Sequence, residues 1–191
     1  DGKITTLLED GKKAGITKYV VCSVATSPAQ VTSINNFIAS TVEASNGLMI
    51  GFGTVHPLSA DVAGDIDNLV SLGLKGIKIH PDFQEFCLDS PEAEEIFKGA
   101  ERHNLPVLIH TGDHRYDYSN PNRFVPVLKK FPNVTFIGAH FGGWSMWTEA
   151  INELHGFDNL YVDCSSSLYA MNAKTAKELI RKYGADRVLF G

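Results

Sequence analysis

Seven short runs rich in β-branched and aromatic residues recur along the chain at nearly even spacing. They begin at positions 19, 48, 73, 105, 134, 160 and 187, so that neighbouring starts lie 25 to 32 residues apart. That distance is the length of one strand, one helix and two short loops. The stretches between the runs carry helical patterns, such as Val62, Ile66 and Leu69 on one face. The spacing therefore predicts a parallel sheet built from repeated βα units.

The predicted strands are residues 19–25, 48–56, 73–81, 105–112, 134–141, 160–165 and 187–191. Seven units exceed the five or six strands of an ordinary doubly wound sheet, and no dinucleotide-binding fingerprint follows the first strand. We therefore predict an α/β fold of the (β/α)8 TIM-barrel class. A helical pattern over residues 4–14 precedes the first strand, so we number the visible strands two to eight. Residues 1–191 are expected to form a single barrel domain, incomplete at both ends, without strand one and the end of strand eight.

Composition excludes several classes of partner. Hydrophobic residues make up 43% of the chain and charged residues 20%, which is typical of a folded domain. The 17 basic and 22 acidic side chains leave a net charge of -5, so we expect neither nucleic acid nor a membrane surface as a partner. Three separated cysteines indicate neither a disulfide framework nor a thiolate zinc site, which favours a cytoplasmic location. A small-molecule substrate is expected, and a homo-oligomer is left open.

Polar residues interrupt the apolar alternation near the ends of three neighbouring strands. In strand four, Ile77 and Ile79 share the face that packs on the helices, so Lys78 and His80 are expected to point into the barrel. The same alternation in strand five places His110 inward, at the C-terminal mouth of the barrel.

Strand six ends in a second histidine. Ile137 and Ala139 are expected to face the helices, which leaves Phe136 and His140 inward. In strand seven, Asp163 is expected either to polarise a ligand histidine or to cap the following turn.

A divalent metal would pair with several of these groups at once. An ionisable group beside an apolar core loses hydration worth several kcal/mol unless something pairs with it. Neutral imidazoles on adjacent strands, about 4.8 Å apart, can converge on one ion. We therefore predict that His110 and His140 are metal ligands, with a core histidine bonded to a backbone carbonyl as the alternative for His110. The C-terminal mouth is also where enzymes of this fold carry out their chemistry.

Three runs resemble a known family. Residues 76–81 (GIKIHP), 108–112 (LIHTG) and 139–144 (AHFGGW) are similar to strands four, five and six of the amidohydrolase superfamily, in its amidohydrolase-related (amidohydrolase 2) branch of TIM-barrel metal-dependent hydrolases and decarboxylases. Segments 113–121 and 184–191 are similar as well, so the resemblance covers essentially the whole chain. It implies a site for one or two divalent metals, with zinc favoured and manganese as the alternative.

The resemblance also implies roles for individual residues. Ligands in this family come from a His-x-His on strand one, a histidine on strand five and an aspartate closing strand eight. His110 matches the strand-five ligand, and His140 matches a strand-six histidine that is either a further ligand or a proton-transfer group. No His-x-His occurs in the sequence, and the chain ends before the expected aspartate, so at most half of the family's ligand set is present.

Four further residues are assigned roles near the substrate. Lys78 is predicted to be catalytic, either as a metal-bridging group or as a cation for a substrate carboxylate, with an amine that simply reaches solvent as the alternative. His80, Arg115 and Trp144 are predicted to bind substrate. The alternatives are a local salt bridge between Arg115 and a nearby aspartate, and packing of Trp144 against helix six.

The resulting prediction is a metal-dependent hydrolase. A metal-activated water attacks an ester, lactone or amide of a small, acidic substrate, with His140 steadying the developing oxyanion. One alternative is non-oxidative decarboxylation at the same metal site, with His140 positioning the proton. The other is a catalytically inactive barrel that acts as a binding module.

Overall fold

The computed structural model describes residues 4–191 of the chain. Within that range seven strands lie inside the predicted runs: β1 (Tyr19–Cys22), β2 (Met49–Thr54), β3 (Ile77–Ile79), β4 (Val107–Ile109), β5 (Phe136–Gly138), β6 (Leu160–Asp163) and β7 (Val188–Leu189). Each strand is shorter than its run, because pairing with a neighbour ends where the chain turns into a loop. β1 corresponds to barrel strand two in the sequence-based numbering.

Helices separate the strands, as the spacing predicts. They are α1 (Ile4–Lys13), α2 (Val31–Ala44), α3 (Val62–Ser71), α4 (Pro81–Gln84), α5 (Pro91–His103), α6 (Pro121–Lys130), α7 (Trp147–Leu154) and α8 (Ala173–Tyr183). The helix predicted before the first strand is confirmed by α1. Across the described residues, none of the helices combines the length and the apolar character that a bilayer crossing requires.

The seven strands form one parallel sheet in sequential order. Side chains from the first and last strands, Cys22 and Leu189, line one cavity of about 620 Å³. Lys78 and Asp163, from strands between them, line the same cavity. This shared cavity shows that the sheet is curled. We call this space the interior cavity. A curled parallel sheet with helices outside it is an incomplete barrel, which confirms the predicted TIM-barrel class.

The outer face of the sheet forms the hydrophobic core. Ile77, Ile79, Val107 and Ile109 are fully buried in the layer that also contains the inner faces of the helices. Since Leu108 lines the interior cavity, the predicted alternation in strands four and five is confirmed.

The alternation predicted for strand six is wrong. Phe136 packs against Phe97 of α5 and Phe124 of α6, with ring centroids 5.6 and 5.7 Å apart, whereas Ile137 and Ala139 line the interior cavity. The register explains this, because Ile137 pairs with Leu108 and paired residues of parallel strands share a face. Residues 136–139 (FIGA) contain no polar side chain, so their own pattern does not distinguish the two faces.

Candidate metal centre at the barrel mouth

The C-terminal ends of β3, β4 and β5 surround a second cavity of about 270 Å³, the mouth cavity. The predicted site residues that line it are His80, His110, Arg115, His140 and Trp144. The structure therefore brings five of the six predicted site residues together. The sixth, Lys78, lines the interior cavity.

His110 reaches the mouth by continuing β4. Its backbone N–H donates to the carbonyl of Ile79 (3.1 Å), which extends the parallel ladder one residue beyond the strand. Alternation therefore still applies, and the His110 ring falls on the same face as Leu108.

His140 reaches the mouth by a different route. Ala139 already occupies the inner face, so strict alternation would direct His140 toward the helices. Instead, His140 (φ 60°) and Phe141 (φ 55°) are both left-handed, and this turn carries the imidazole into the mouth. Each left-handed residue costs about 1–2 kcal/mol. The inward position predicted for His140 is thus found, but through a turn that alternation does not describe.

Distant side chains hold this turn in place. The Asp163 carboxylate accepts from the backbone N–H of His140 (3.1 Å) and from the N–H of Ser165 (2.9 Å). The Tyr183 hydroxyl donates a hydrogen bond to the carbonyl of Phe141 (3.2 Å). Through the Ser165 N–H, Asp163 caps the turn that follows it, as one of its two predicted roles required, and through the His140 N–H it also supports the left-handed turn.

The hydrogen bonds of the two histidines determine their tautomers. His140 Nδ1 lies 2.8 Å from the Ser165 carbonyl, which only accepts, so Nδ1 carries the proton. Nε2 of the neutral ring then accepts from His110 Nδ1 (3.0 Å). His110 Nε2 then carries no proton, and it lies 3.3 Å from Asp82 Oδ2. A proton or a cation shared by the two atoms would remove the repulsion between their lone pairs.

Asp82 is a residue that the sequence-based reasoning missed. Its carboxylate is buried and accepts from the Ser119 hydroxyl (3.2 Å), and burial raises the pKa of Asp82 to about 6. A usable signal was present, because Pro81 directly after His80 predicts a helical turn that keeps the next residue close to the strand end.

His80, Asp82 and His110 have the chemistry of a metal-ligand set. One potential ligand atom from each lies within 4.8 Å of the other two. The His80 ring stacks between Phe83 and His110, with both centroid distances 3.8 Å, and its Nδ1 is buried with no hydrogen-bond partner among the residues described. Burial lowers the pKa of His80 to about 3 and that of His110 to about 2, so both rings are neutral, as metal ligands must be. The donor types of these residues therefore suit a divalent cation.

Arg115 lies at the rim of the mouth cavity. It forms a two-pronged ion pair with Asp113, with Nη2–Oδ2 at 2.6 Å and Nε–Oδ1 at 2.9 Å, and this pair lowers the pKa of Asp113. The alternative of a local salt bridge is therefore realised. The guanidinium still lines the cavity, with 64% of its side chain exposed, so it remains within reach of a ligand.

Aromatic rings form the walls of the mouth cavity. Trp144 lies 6.0 Å from the His140 ring and 6.2 Å from Tyr169, measured between centroids. Phe83 and Tyr116 complete the aromatic lining. Trp144 is positioned by its backbone N–H, which donates to the Thr111 carbonyl (2.7 Å), and it walls the cavity.

Lys78 lies beneath the mouth. Its side chain shares the interior cavity with Cys22, Asp163 and His140, and His140 lines both cavities. Burial lowers the pKa of Lys78, while the nearby Cys22 and Asp163 oppose that change. Lys78 therefore lies in the interior cavity with His140, and its catalytic role stays a prediction.

Comparison with known proteins agrees with the architecture. The sequence model of the family described as Amidohydrolase matches residues 7–191. Among solved structures, a TIM-barrel protein from Bordetella bronchiseptica is 21% identical with a TM-score of 0.81, covering 99% of this chain and 69% of that one. A 2,6-dihydroxybenzoate decarboxylase from Rhizobium is 14% identical with a TM-score of 0.72, covering 99% and 76%.

A third similar structure contains a metal. It is a 5-carboxyvanillate decarboxylase from Novosphingobium aromaticivorans in complex with manganese and 4-hydroxy-3-methoxy-5-nitrobenzoic acid. It is 16% identical with a TM-score of 0.70, covering 97% of this chain and 68% of that one. At these identities the likeness establishes a shared fold.

Proposed function

This chain belongs to the amidohydrolase family, and we propose that it is a metal-dependent enzyme that removes the carboxylate of a small aromatic acid as carbon dioxide. The observation that carries the proposal is the cluster of His80, Asp82 and His110 at the mouth, where His110 Nε2 lies 3.3 Å from the Asp82 carboxylate in a cavity lined by aromatic rings. A cation would bind favourably to both the imidazole nitrogen and the carboxylate oxygen, and aromatic walls would stack against a planar substrate ring.

His80, Asp82 and His110 are the residues proposed to hold the metal. When bound, a divalent cation supplies a Lewis acid that neutralises carboxylate and hydroxyl oxygens of the substrate. Imidazole and carboxylate ligands suit zinc and manganese alike. The manganese bound in a similar structure supports manganese as the metal of this chain. Zinc stays a prediction from the family resemblance. Ligation by His140 also stays a prediction, since both its ring nitrogens have protein partners here.

The rim is proposed to orient the substrate. We propose that a planar ring binds among Trp144, Phe83 and Tyr116, which line the cavity together, and that Arg115 offers a cation to a second acidic group on that ring. The names of two similar structures, both decarboxylases of aromatic acids, support this substrate class.

His140 is the proposed proton carrier. In the reaction the bond from ring carbon to carboxylate breaks, its electron pair stays on the ring carbon, and a proton replaces the departing carbon dioxide. The Ser165 carbonyl accepts from Nδ1 in both the neutral and the charged imidazole, so Nε2 is the atom that gains and loses the proton, and it exchanges its hydrogen bond with His110 Nδ1 when it does so. Burial lowers the pKa of His140, which makes its charged form a ready donor.

Hydrolysis is the second candidate. It is favoured by Asp82, a carboxylate whose pKa is raised to about 6 and which could accept a proton from a water attacking an ester, lactone or amide. A barrel that only binds ligands is the third candidate, and it differs from both in producing no turnover.

One experiment separates the three candidates. The protein is incubated with Mn²⁺ and with a panel of hydroxybenzoates carrying ¹³C at the carboxylate, and in parallel with aryl lactones and esters. We expect ¹³C-bicarbonate in proportion to the decarboxylated arene, and none with Asp82→Asn. Release of an acid from lactone or ester without bicarbonate would establish hydrolysis instead. No turnover on any substrate, with less than about 0.1 metal per chain, would favour a binding module.

A further inference from the structure

We infer that Gln84 is a positioning residue for the proposed metal centre, an inference that rests on the proposed function. Its side-chain amide joins the ends of three strands. Nε2 donates to the carbonyl of Ala25 (2.9 Å), beyond β1, and to the carbonyl of Val55 (2.8 Å), beyond β2. Oε1 accepts from the backbone N–H of His80 (2.8 Å), beyond β3.

These partners permit a single orientation of the amide. Two carbonyls face the NH₂ group and one N–H faces the oxygen, so a flipped amide would set acceptor against acceptor twice. Gln84 is 3% exposed, and Ala25 and Val55 are fully buried, so water cannot replace these bonds. The amide therefore acts as a rigid brace between three strand ends that lie far apart in sequence.

The brace acts on the segment that carries two of the three proposed ligands. His80 directly precedes α4, and both Asp82 and Gln84 belong to that single helical turn. The bond to the His80 N–H fixes the backbone from which its ring projects. The anchoring of Gln84 on β1 and β2 fixes the turn that carries Asp82. Groups that orient metal ligands in this way typically contribute 10–100-fold to metal affinity.

Asn35 provides an internal comparison. Its buried amide also braces the sheet, donating from Nδ2 to the Thr54 carbonyl (3.0 Å) and accepting at Oδ1 from the Thr54 N–H (2.8 Å). It makes no hydrogen bond to His80 or Asp82 in the described part of the chain. Loss of this amide should therefore weaken the fold without changing the ligand geometry.

The test compares Gln84→Met with Asn35→Leu, which remove the two buried amides at similar side-chain size. Binding of Mn²⁺ is measured by calorimetry, and amide hydrogen exchange over residues 79–85 is measured in metal-free protein. We expect Gln84→Met to weaken Mn²⁺ binding at least about tenfold and to speed exchange over residues 79–85 at least about tenfold. Asn35→Leu should change Mn²⁺ binding less than about twofold.

Each other outcome overturns the inference in a recognisable way. Mn²⁺ binding weakened less than about tenfold in Gln84→Met, exchange over residues 79–85 accelerated less than about tenfold, or equal weakening in Asn35→Leu would show that the brace has no specific role at the centre. Should Gln84→Met not fold, Gln84→Glu replaces it, because it keeps an acceptor for the His80 N–H but loses both donors, and the same thresholds apply. Wild-type protein that fails to bind Mn²⁺ would refute the metal centre itself, and that failure is visible before any variant is compared.

Discussion

The neighbouring strands β4 and β5 each deliver a histidine to the mouth, but by different means. His110 continues β4 and keeps the ladder bond that any parallel strand makes to its neighbour. His140 leaves β5 through two left-handed residues and depends on Asp163 and Tyr183, which lie 23 and 43 positions further along the chain. His110 is therefore positioned by regular secondary structure, and His140 by specific tertiary contacts. The C-terminal ends of β4 and β5 should consequently respond differently to mutation.

The largest expected effect separates the two histidines by role. His110→Ala should weaken Mn²⁺ binding more than about 100-fold, because it removes a proposed ligand. His140→Ala should change binding less than about tenfold but lower kcat about 100-fold or more, because it removes the proposed proton carrier. Calorimetry and turnover measure both, with the exposed His155→Ala as control. Equal losses of affinity would make His140 a ligand and remove the distinction.

The next effect tests the point where the loops after β4 and β5 touch. Gly112 is left-handed (φ +70°), and a Cβ there would lie 2.6 Å from Gly143 Cα, whereas Gly156 (φ +90°) has open space around the same position. Gly112→Ala should reduce the free energy of unfolding by about 3–4 kcal/mol, and Gly156→Ala by about 1–2 kcal/mol. Urea unfolding measures both. Equal losses would mean that the loops can separate at little cost.

A smaller effect concerns the β5 end alone. Asp163→Ala leaves the backbone N–H groups of His140 and Ser165 without their acceptor and should cost about 2 kcal/mol of stability. Because the left-handed turn loosens, kcat should fall while Mn²⁺ binding is retained. Asp61→Ala, which removes a carboxylate that caps α3 through the Gly64 N–H, is the matched control and should cost about 1 kcal/mol without changing kcat. If both variants keep full kcat, the turn does not need Asp163.

The smallest effect is that of Tyr183→Phe, at about 1 kcal/mol. Burial raises the pKa of Tyr183 above its ordinary value in the folded protein. The contribution of its hydroxyl to stability is therefore complete at any pH at which Tyr183 is protonated in both the folded and the unfolded chain. Above about pH 10 the unfolded chain loses the proton first, and that contribution declines. The difference in urea midpoint between wild type and Tyr183→Phe should therefore narrow between pH 8 and pH 10.5. A constant difference would show that Tyr183 ionises equally in both states.

The two strand ends also show why some of the site was predictable. Ile77, Lys78 and Ile79 alternate clearly between apolar and polar, so the inner face of β3 was identified from sequence. The run around Ile137 is apolar on both faces, and its orientation was predicted wrongly. Asp82 and Gln84 lie beyond the last strand residue, in a turn that no alternation describes, and neither was recognised as part of the site.

Strand number, strand order and the parallel direction of the sheet were determined by the sequence alone, because each unit repeats the same local pattern of strand, loop and helix. The orientation of β5, the left-handed path to His140 and the meeting of Asp82 with His110 were decided only by the tertiary structure. Each of these depends on a neighbouring strand's register or on a side chain tens of residues away, such as Asp163. Interactions of that kind leave no periodic pattern in the chain.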